Sequence, residues 1–220
     1  MIFASFDLDG TLVNSLDLIY DGLAASGYIV DGKDHTDYNL NFKKGCAPPP
    51  DFQWELFFYR LFTERHDEIV PIDGHVFEFL KKVHDVGKEP IRVITSRPSG
   101  VLMHWSICTM LKRLFPDIVF SVDVVGSGSL KHNYMFGTDI FFEDRRKTVR
   151  ELSEKGNIVF MRNYSYNCLF TGKVKKGEYQ WIEDVYPLDL KAGDIVVYDN
   201  FRQVMDANVI KLIAPSIFSE

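Results

Sequence analysis

Short apolar runs alternate with amphipathic stretches along most of this chain. Residues 2–6 form an apolar run of strand length, followed at once by Asp7-Leu8-Asp9-Gly10-Thr11-Leu12. Leu16, Ile19, Tyr20 and Leu23 then recur at helical spacing, and Gly27 offers a stop. The chain is largely polar from Gly27 to Pro50, after which Asp51 is placed to cap a helix running through Arg65. That helix carries Trp54, Leu56, Phe57, Phe58, Tyr59, Leu61 and Phe62 around much of its circumference, so it should be sandwiched or cover something. Pro71-Ile72-Asp73-Gly74 closes the region. A clear amphipathic helix follows, with Val76, Phe79, Leu80 and Val83 on one face and Gly87 as terminator.

Further strands are predicted at 91–94, 118–125 (one strand or two short ones), 139–142, 157–161 and 195–198, with helices at 99–114, 147–155 and 201–207. In the second of these helices Val149 and Leu152 point inward. Residues 173–179 predict an inserted β-hairpin to which no function attaches. Strands alternating with helices imply an α/β fold, a Rossmann-like parallel sheet with helices on both faces. The ligand crevice of such sheets lies at the carboxyl ends of the strands. Asp7, Thr95 and Glu143-Asp144 each stand at such an end, and this coincidence points to one site.

A length of 220 residues fits one large domain, or a core with a smaller insertion. The 46% hydrophobic content allows a well-filled core, and a net charge of -6 argues against a general nucleic-acid binder. Small phosphorylated substrates remain open, because a metal and a few local cations can hold them. Cys46, Cys108 and Cys168 are an odd number without metal-ligand spacing, which suits a reducing compartment. The immediate entry into a strand leaves no room for a signal peptide, and no apolar stretch reaches membrane-spanning length. A cytoplasmic protein is expected, with no membrane partner. Six histidines show no ligand spacing and are treated as surface or packing residues; His132, beside Lys131, is the one worth testing.

The chemistry begins with two acids. Asp7 and Asp9 fall on one side of the chain, and crowding them costs energy unless a cation or a shared proton relieves the repulsion. Gly10 permits a sharp exit from the strand, and Thr11 adds a hydroxyl. A metal site with a nucleophile and an acid/base is the expectation. Phe6-Asp7-Leu8-Asp9-Gly10-Thr11-Leu12-Val13 resembles the first motif of the haloacid dehalogenase (HAD) superfamily. Most of its members are Mg²⁺-dependent phosphatases that work through an aspartyl-phosphate.

The resemblance implies Asp7 as nucleophile and Asp9 as the residue that protonates the leaving oxygen and then activates water. It implies Mg²⁺ held by Asp7, by the backbone carbonyl of Asp9, and by Asp144. Thr95 fits the second motif and would bind phosphate with backbone N–H groups at the start of the following helix, with Ser96 facing the substrate. Arg97 could touch phosphate or lie on the surface. Lys131 is the best third-motif lysine, neutralising phosphate charge, with Lys147 as the alternative. Glu143-Asp144 stands where the superfamily often has two Asp; Asp144 is favoured as the direct ligand and Glu143 as the residue orienting Lys131 or a metal-bound water.

The segments Ile72-Asp73-Gly74, Thr95-Ser96-Arg97-Pro98, Glu143-Asp144-Arg145 and Met161-Arg162-Asn163-Tyr164 resemble the 5′(3′)-deoxyribonucleotidase branch. The resemblance implies a catalytic core of residues 1–12 and 71–220 and a helical cap of residues 13–70 inserted after the first strand. The cap aromatics would either offer a stacking surface for a base or pack among themselves. The expected activity is Mg²⁺-dependent hydrolysis of a small phosphomonoester, a 5′-nucleotide or deoxyribonucleotide first. Another small phosphomonoester, a nucleic-acid 3′-phosphate, or a non-catalytic binding role are the alternatives.

Overall fold

The computed structural model describes residues 3–31, 40, 42–126, 131–134, 137–164, 179–185 and 189–213. Seven strands form one sheet: β1 (Ala4–Phe6), β4 (Ile91–Thr95), β5 (Phe120–Val124), β6 (Ile140–Glu143), β7 (Ile158–Arg162), β8 (Gln180–Trp181) and β9 (Ile195–Tyr198). Their spatial order is β5-β4-β1-β6-β7-β9-β8, and every pairing is parallel. The chain winds outward from β1 through β4 to β5, then crosses back to β6 and winds the other way. β1 therefore sits at the point where the winding reverses, where such sheets open a crevice at their carboxyl edge.

Alternation along each strand divides the core. Phe6, Ile91, Val93, Ile140, Phe142, Phe160, Val196 and Tyr198 face helices α3 (Val76–Gly87), α4 (Val101–Leu114), α6 (Phe201–Asp206) and α7 (Ile210–Ile213). Ile94, Phe141, Val159, Met161 and Val197 face the other way, toward Val149 and Leu152 of α5 (Arg146–Glu154). The expected α/β sheet covered on both faces is what the chain forms. Beneath the carboxyl edge, Phe6, Phe142 and Phe160 stack across three adjacent strands, with ring centroids 4.6 and 4.9 Å apart. Their pairing in register makes a stiff floor for whatever stands one residue further along.

Between β1 and α3 lie α1 (Leu16–Ala25) and α2 (Trp54–Glu64), flanked by a ribbon in which β2 (Val13–Asn14) pairs antiparallel with β3 (Val70–Pro71). The two helices approach closely at Gly22, where an added Cβ would come 2.7 Å from Leu61 Cδ1. Among the described residues no helix is long and apolar enough to cross a membrane.

Several local expectations need correction. Asp51 does not cap α2; the helix starts at Trp54 after Gln53, and no side chain caps it. Phe52 instead turns back, its N–H donating to Pro49 O at 3.0 Å and its ring packing among Tyr28, Trp54 and Phe57. Gly87 is the last residue of α3 rather than its terminator. Lys88 takes the left-handed position (φ 52°) and donates its N–H to His84 O, so the helix runs one residue further, with Val86 packed on the core. The ribbon β2–β3, the edge strand β8 and the helix α7 are too short for a periodic signal. The expected hairpin falls almost wholly outside the described residues, as does Cys168.

Candidate functional site

Strand register brings three predicted positions together. Phe6 pairs with Val93 on one side and Phe142 on the other, so Asp7 and Glu143 stand in the next row, and Thr95 and Asp144 one row beyond. Asp7 N–H still donates to Phe142 O at 2.8 Å, which continues the β1–β6 ladder to the acid itself. The chain then turns within a few residues. Gly10 adopts φ 76°, a left-handed conformation open to glycine, and donates to Val13 O, while Leu12 and Val13 N–H return to Leu8 O. Leu8, Leu12 and Val13 are buried and anchor this turn.

Asp7, Glu143 and Asp144 are buried, and carboxylate oxygens from all three lie within 4.8 Å of one another. Lys131 Nζ sits 2.6 Å from Asp7 Oδ1 and 2.9 Å from Glu143 Oε2. Lys131 opens a short 3₁₀ turn, Lys131–Tyr134, and this turn is tied to the sheet by Arg92. Arg92 donates to Asp123 Oδ2 at 3.0 Å and to the Tyr134 carbonyl. Lys147, the other lysine considered, is exposed on α5 and pairs with Glu151. The remaining Glu143 oxygen accepts the N–H groups of Asp144 (3.1 Å) and Arg145 (3.0 Å).

These contacts divide the charges. Burial, with the negative charge of Glu143, pushes the Asp7 carboxyl well above its ordinary value despite the opposing pull of Lys131. Burial would raise Glu143 too, but the Lys131 charge and its own hydrogen bonds outweigh that and hold it low. Lys131 is driven upward by the two acids against the cost of its burial.

Asp9 lies outside the group of three acids. Its two oxygens accept Arg97 Nε at 2.9 Å and Nη2 at 2.7 Å. Burial raises the Asp9 carboxyl, yet the Arg97 charge, the Arg97 hydrogen bonds and a hydrogen bond from Ser15 together lower it. Arg97 itself is buried, with its guanidinium carbon 4.0 Å from the centre of the Phe62 ring on α2. Sequence reasoning left this residue between phosphate and the surface. The signal that would have found it is its offset: Arg97 and Asp9 stand four and three residues past the paired positions Val93 and Phe6.

The Thr95 hydroxyl is buried at the end of β4 and accepts the Arg97 N–H at 3.4 Å, which leaves its own O–H to donate. Ser96 is half-buried beside it. Two segments noted separately in the sequence also meet. Asp73 Oδ2 accepts Arg162 Nη1 at 2.8 Å and Phe201 N–H at 3.2 Å, while its Oδ1 caps α3 through the His75 and Val76 N–H groups. The side chain of His132 lies outside the described set.

No protein-family model matches the sequence, and no curated protein does. A crystal structure of CbbY from Rhodobacter sphaeroides in complex with phosphate is similar, with TM-score 0.51 and 15% identity, over 95% of this chain and 96% of that one. The fold is a HAD-like, Rossmann-type α/β core. A HAD hydrolase of family IA, variant 3, from Entamoeba histolytica HM-1:IMSS gives TM-score 0.47 at 15% identity, over 97% of this chain and 99% of that one.

Proposed function

We propose that this HAD-like chain is a Mg²⁺-dependent phosphomonoester hydrolase that works through an aspartyl-phosphate on Asp7. The observation that carries the reading is the Asp7 carboxylate itself. It stands at the carboxyl end of the central strand, 2.6 Å from a buried lysine and clustered with two further buried acids. A carboxyl group attacks phosphorus best when neighbouring cations relieve its charge and that of the phosphate.

Mg²⁺ fits the donor set. It takes a few carboxylate oxygens at a small site, and three buried carboxylates carry negative charge that burial penalises. Asp7, Asp144 and the Asp9 carbonyl would hold it. Glu143 is already engaged by Lys131 and two backbone N–H groups, which supports Asp144 as the direct ligand and Glu143 as the residue that orients Lys131. When bound, Mg²⁺ would neutralise charge on Asp7 and on the phosphate.

In the first step an Asp7 oxygen bonds to phosphorus, the ester P–O bond breaks, and the leaving oxygen takes a proton through Asp9. Because Arg97 keeps resting Asp9 ionised, that proton arrives with the phosphate group, whose second ionisation lies at roughly pH 6. In the second step Asp9 removes a proton from water, whose oxygen bonds to phosphorus as the acyl-phosphate bond breaks. Thr95, Ser96 and Lys131 hold the phosphate oxygens.

Residues 13–70 act as a cap over this site. The β2–β3 ribbon joins the entry to the exit of that segment, and α2 packs on α4 beside the crevice. The substrate is a nucleoside monophosphate, the class implied by the resemblance of Thr95-Ser96-Arg97-Pro98 and Glu143-Asp144-Arg145 to the deoxyribonucleotidase branch; the rings of Trp54, Phe58 and Phe62 stack on one another along α2 and lend it no support. The test is phosphate release with Mg²⁺ across nucleotides, sugar phosphates and oligonucleotide ends. Asp7→Asn should abolish release while the circular-dichroism spectrum stays unchanged; full activity in that variant sinks the mechanism.

A further inference from the structure

We infer that Arg97 is a positioning residue that aims Asp9 only while α2 is seated on the core. The inference rests on the assignment of Asp9 as the proton carrier.

Three observations carry it. First, the contact is a planar fork: Nε and Nη2 each meet a different Asp9 oxygen, at 2.9 and 2.7 Å, so the carboxylate can neither rotate nor swing without losing a hydrogen bond. Second, the guanidinium is closed off on one face by Phe62, itself 5% exposed, at 4.0 Å. Phe62 belongs to α2, whereas Arg97 follows β4 and Asp9 follows β1. Third, among the described residues Arg97 Nη1 is buried with no hydrogen-bond partner. An arginine placed only for stability would satisfy that donor. Here the side chain is held by the two contacts that matter for aim, Asp9 along its edge and Phe62 across its face.

The coupling follows from dielectric. With α2 seated, the side chain of Arg97 is 1% exposed while that of Asp9 is 26% exposed, so water reaches the pair only from the Asp9 side. Moving α2 away uncovers the guanidinium, and an ion pair opened to water loses most of its attraction. Docking of α2 and orientation of Asp9 thus become one event, and the proton carrier is aimed only with α2 in place.

The test uses leaving-group chemistry. p-Nitrophenolate departs without protonation, while an alkoxide from glycerol 2-phosphate needs the proton. Arg97→Met and Phe62→Ala should each lower kcat/KM for glycerol 2-phosphate by about 100-fold and for p-nitrophenyl phosphate by less than about 5-fold, the range expected when a general acid is misplaced. Asp9→Asn should show the same disparity, and Arg97→Lys, which keeps the charge but not the fork, should fall between. The double variant should be no slower on glycerol 2-phosphate than Arg97→Met alone. Equal losses on both substrates, or additive losses in the double variant, overturn the inference.

A second measurement needs no turnover. Hydrogen exchange in Trp54–Glu64 should quicken in Arg97→Met and, where that variant does not fold, in Arg97→Lys, while β4 and β6 stay protected. Unchanged exchange in α2 overturns the coupling. Failure of the hydrolase reading looks different: Asp7→Asn would match wild type on both substrates, whatever the Arg97 variants do.

Discussion

At the scale of a single residue, Asp7 is held against its own charge. Its neighbours are unequal partners, since Lys131 favours the ionised form while burial and Glu143 disfavour it, and the second pair wins. Stability records this with a definite sign. A carboxyl whose folded value lies above its ordinary 3.8 binds protons more tightly in the folded chain, so stability falls as pH rises from there through the folded value. Glu143 has the opposite sign: its contribution is present above its ordinary 4.5 and is lost as pH falls through its depressed value. Replacing Asp7 by Asn removes the first effect and leaves the second. Urea titrations with chelator at pH 4, 5, 6 and 7 should therefore show Asp7→Asn gaining on wild type as pH rises. A constant difference between the two proteins would remove the electrostatic account.

Among the elements, α3 carries a cost that its sequence need not bear. Its C-terminal turn is closed by Lys88 at φ 52°, where a Cβ is disfavoured, while Gly87 next to it spends its freedom inside the helix. Lys88→Gly should raise stability by about 0.5–1 kcal/mol, because the relief of left-handed strain exceeds the added entropy of the unfolded chain. Thermal unfolding would read this as a rise of a few degrees, and an unchanged or lower midpoint would refute it. The stack of Phe6, Phe142 and Phe160 lies beneath the acid row. Asp73 gathers the start of α3, the end of β7 and the start of α6 through four hydrogen bonds.

At the scale of the whole molecule, the winding reverses beside β1, and this lets residues from three strands and one 3₁₀ turn converge. If Mg²⁺ binds at Asp7, Asp144 and the Asp9 carbonyl, it binds the folded chain alone, because the unfolded chain scatters those groups. At a hundredfold excess over its dissociation constant it should stabilise the fold by about 2.7 kcal/mol. The unfolding midpoint should rise with Mg²⁺ and return with chelator, and Asp144→Asn should lose most of the rise; an equal rise in that variant would exclude Asp144 as a ligand. Much of this architecture was legible in the chain alone. Short apolar runs and helical patterns located β1, β4, β5, β6, β7 and β9 and most helices, and the acids and Thr95 were marked by standing at strand ends, since both signals are local. Lys131 was found by its place before β6, though not the turn that carries it. The partnership of Arg97 with Asp9, 88 residues apart, and that of Arg162 with Asp73, 89 apart, came only from the tertiary structure. Each depends on which strands become neighbours, and no periodicity within a segment encodes the neighbour across the sheet.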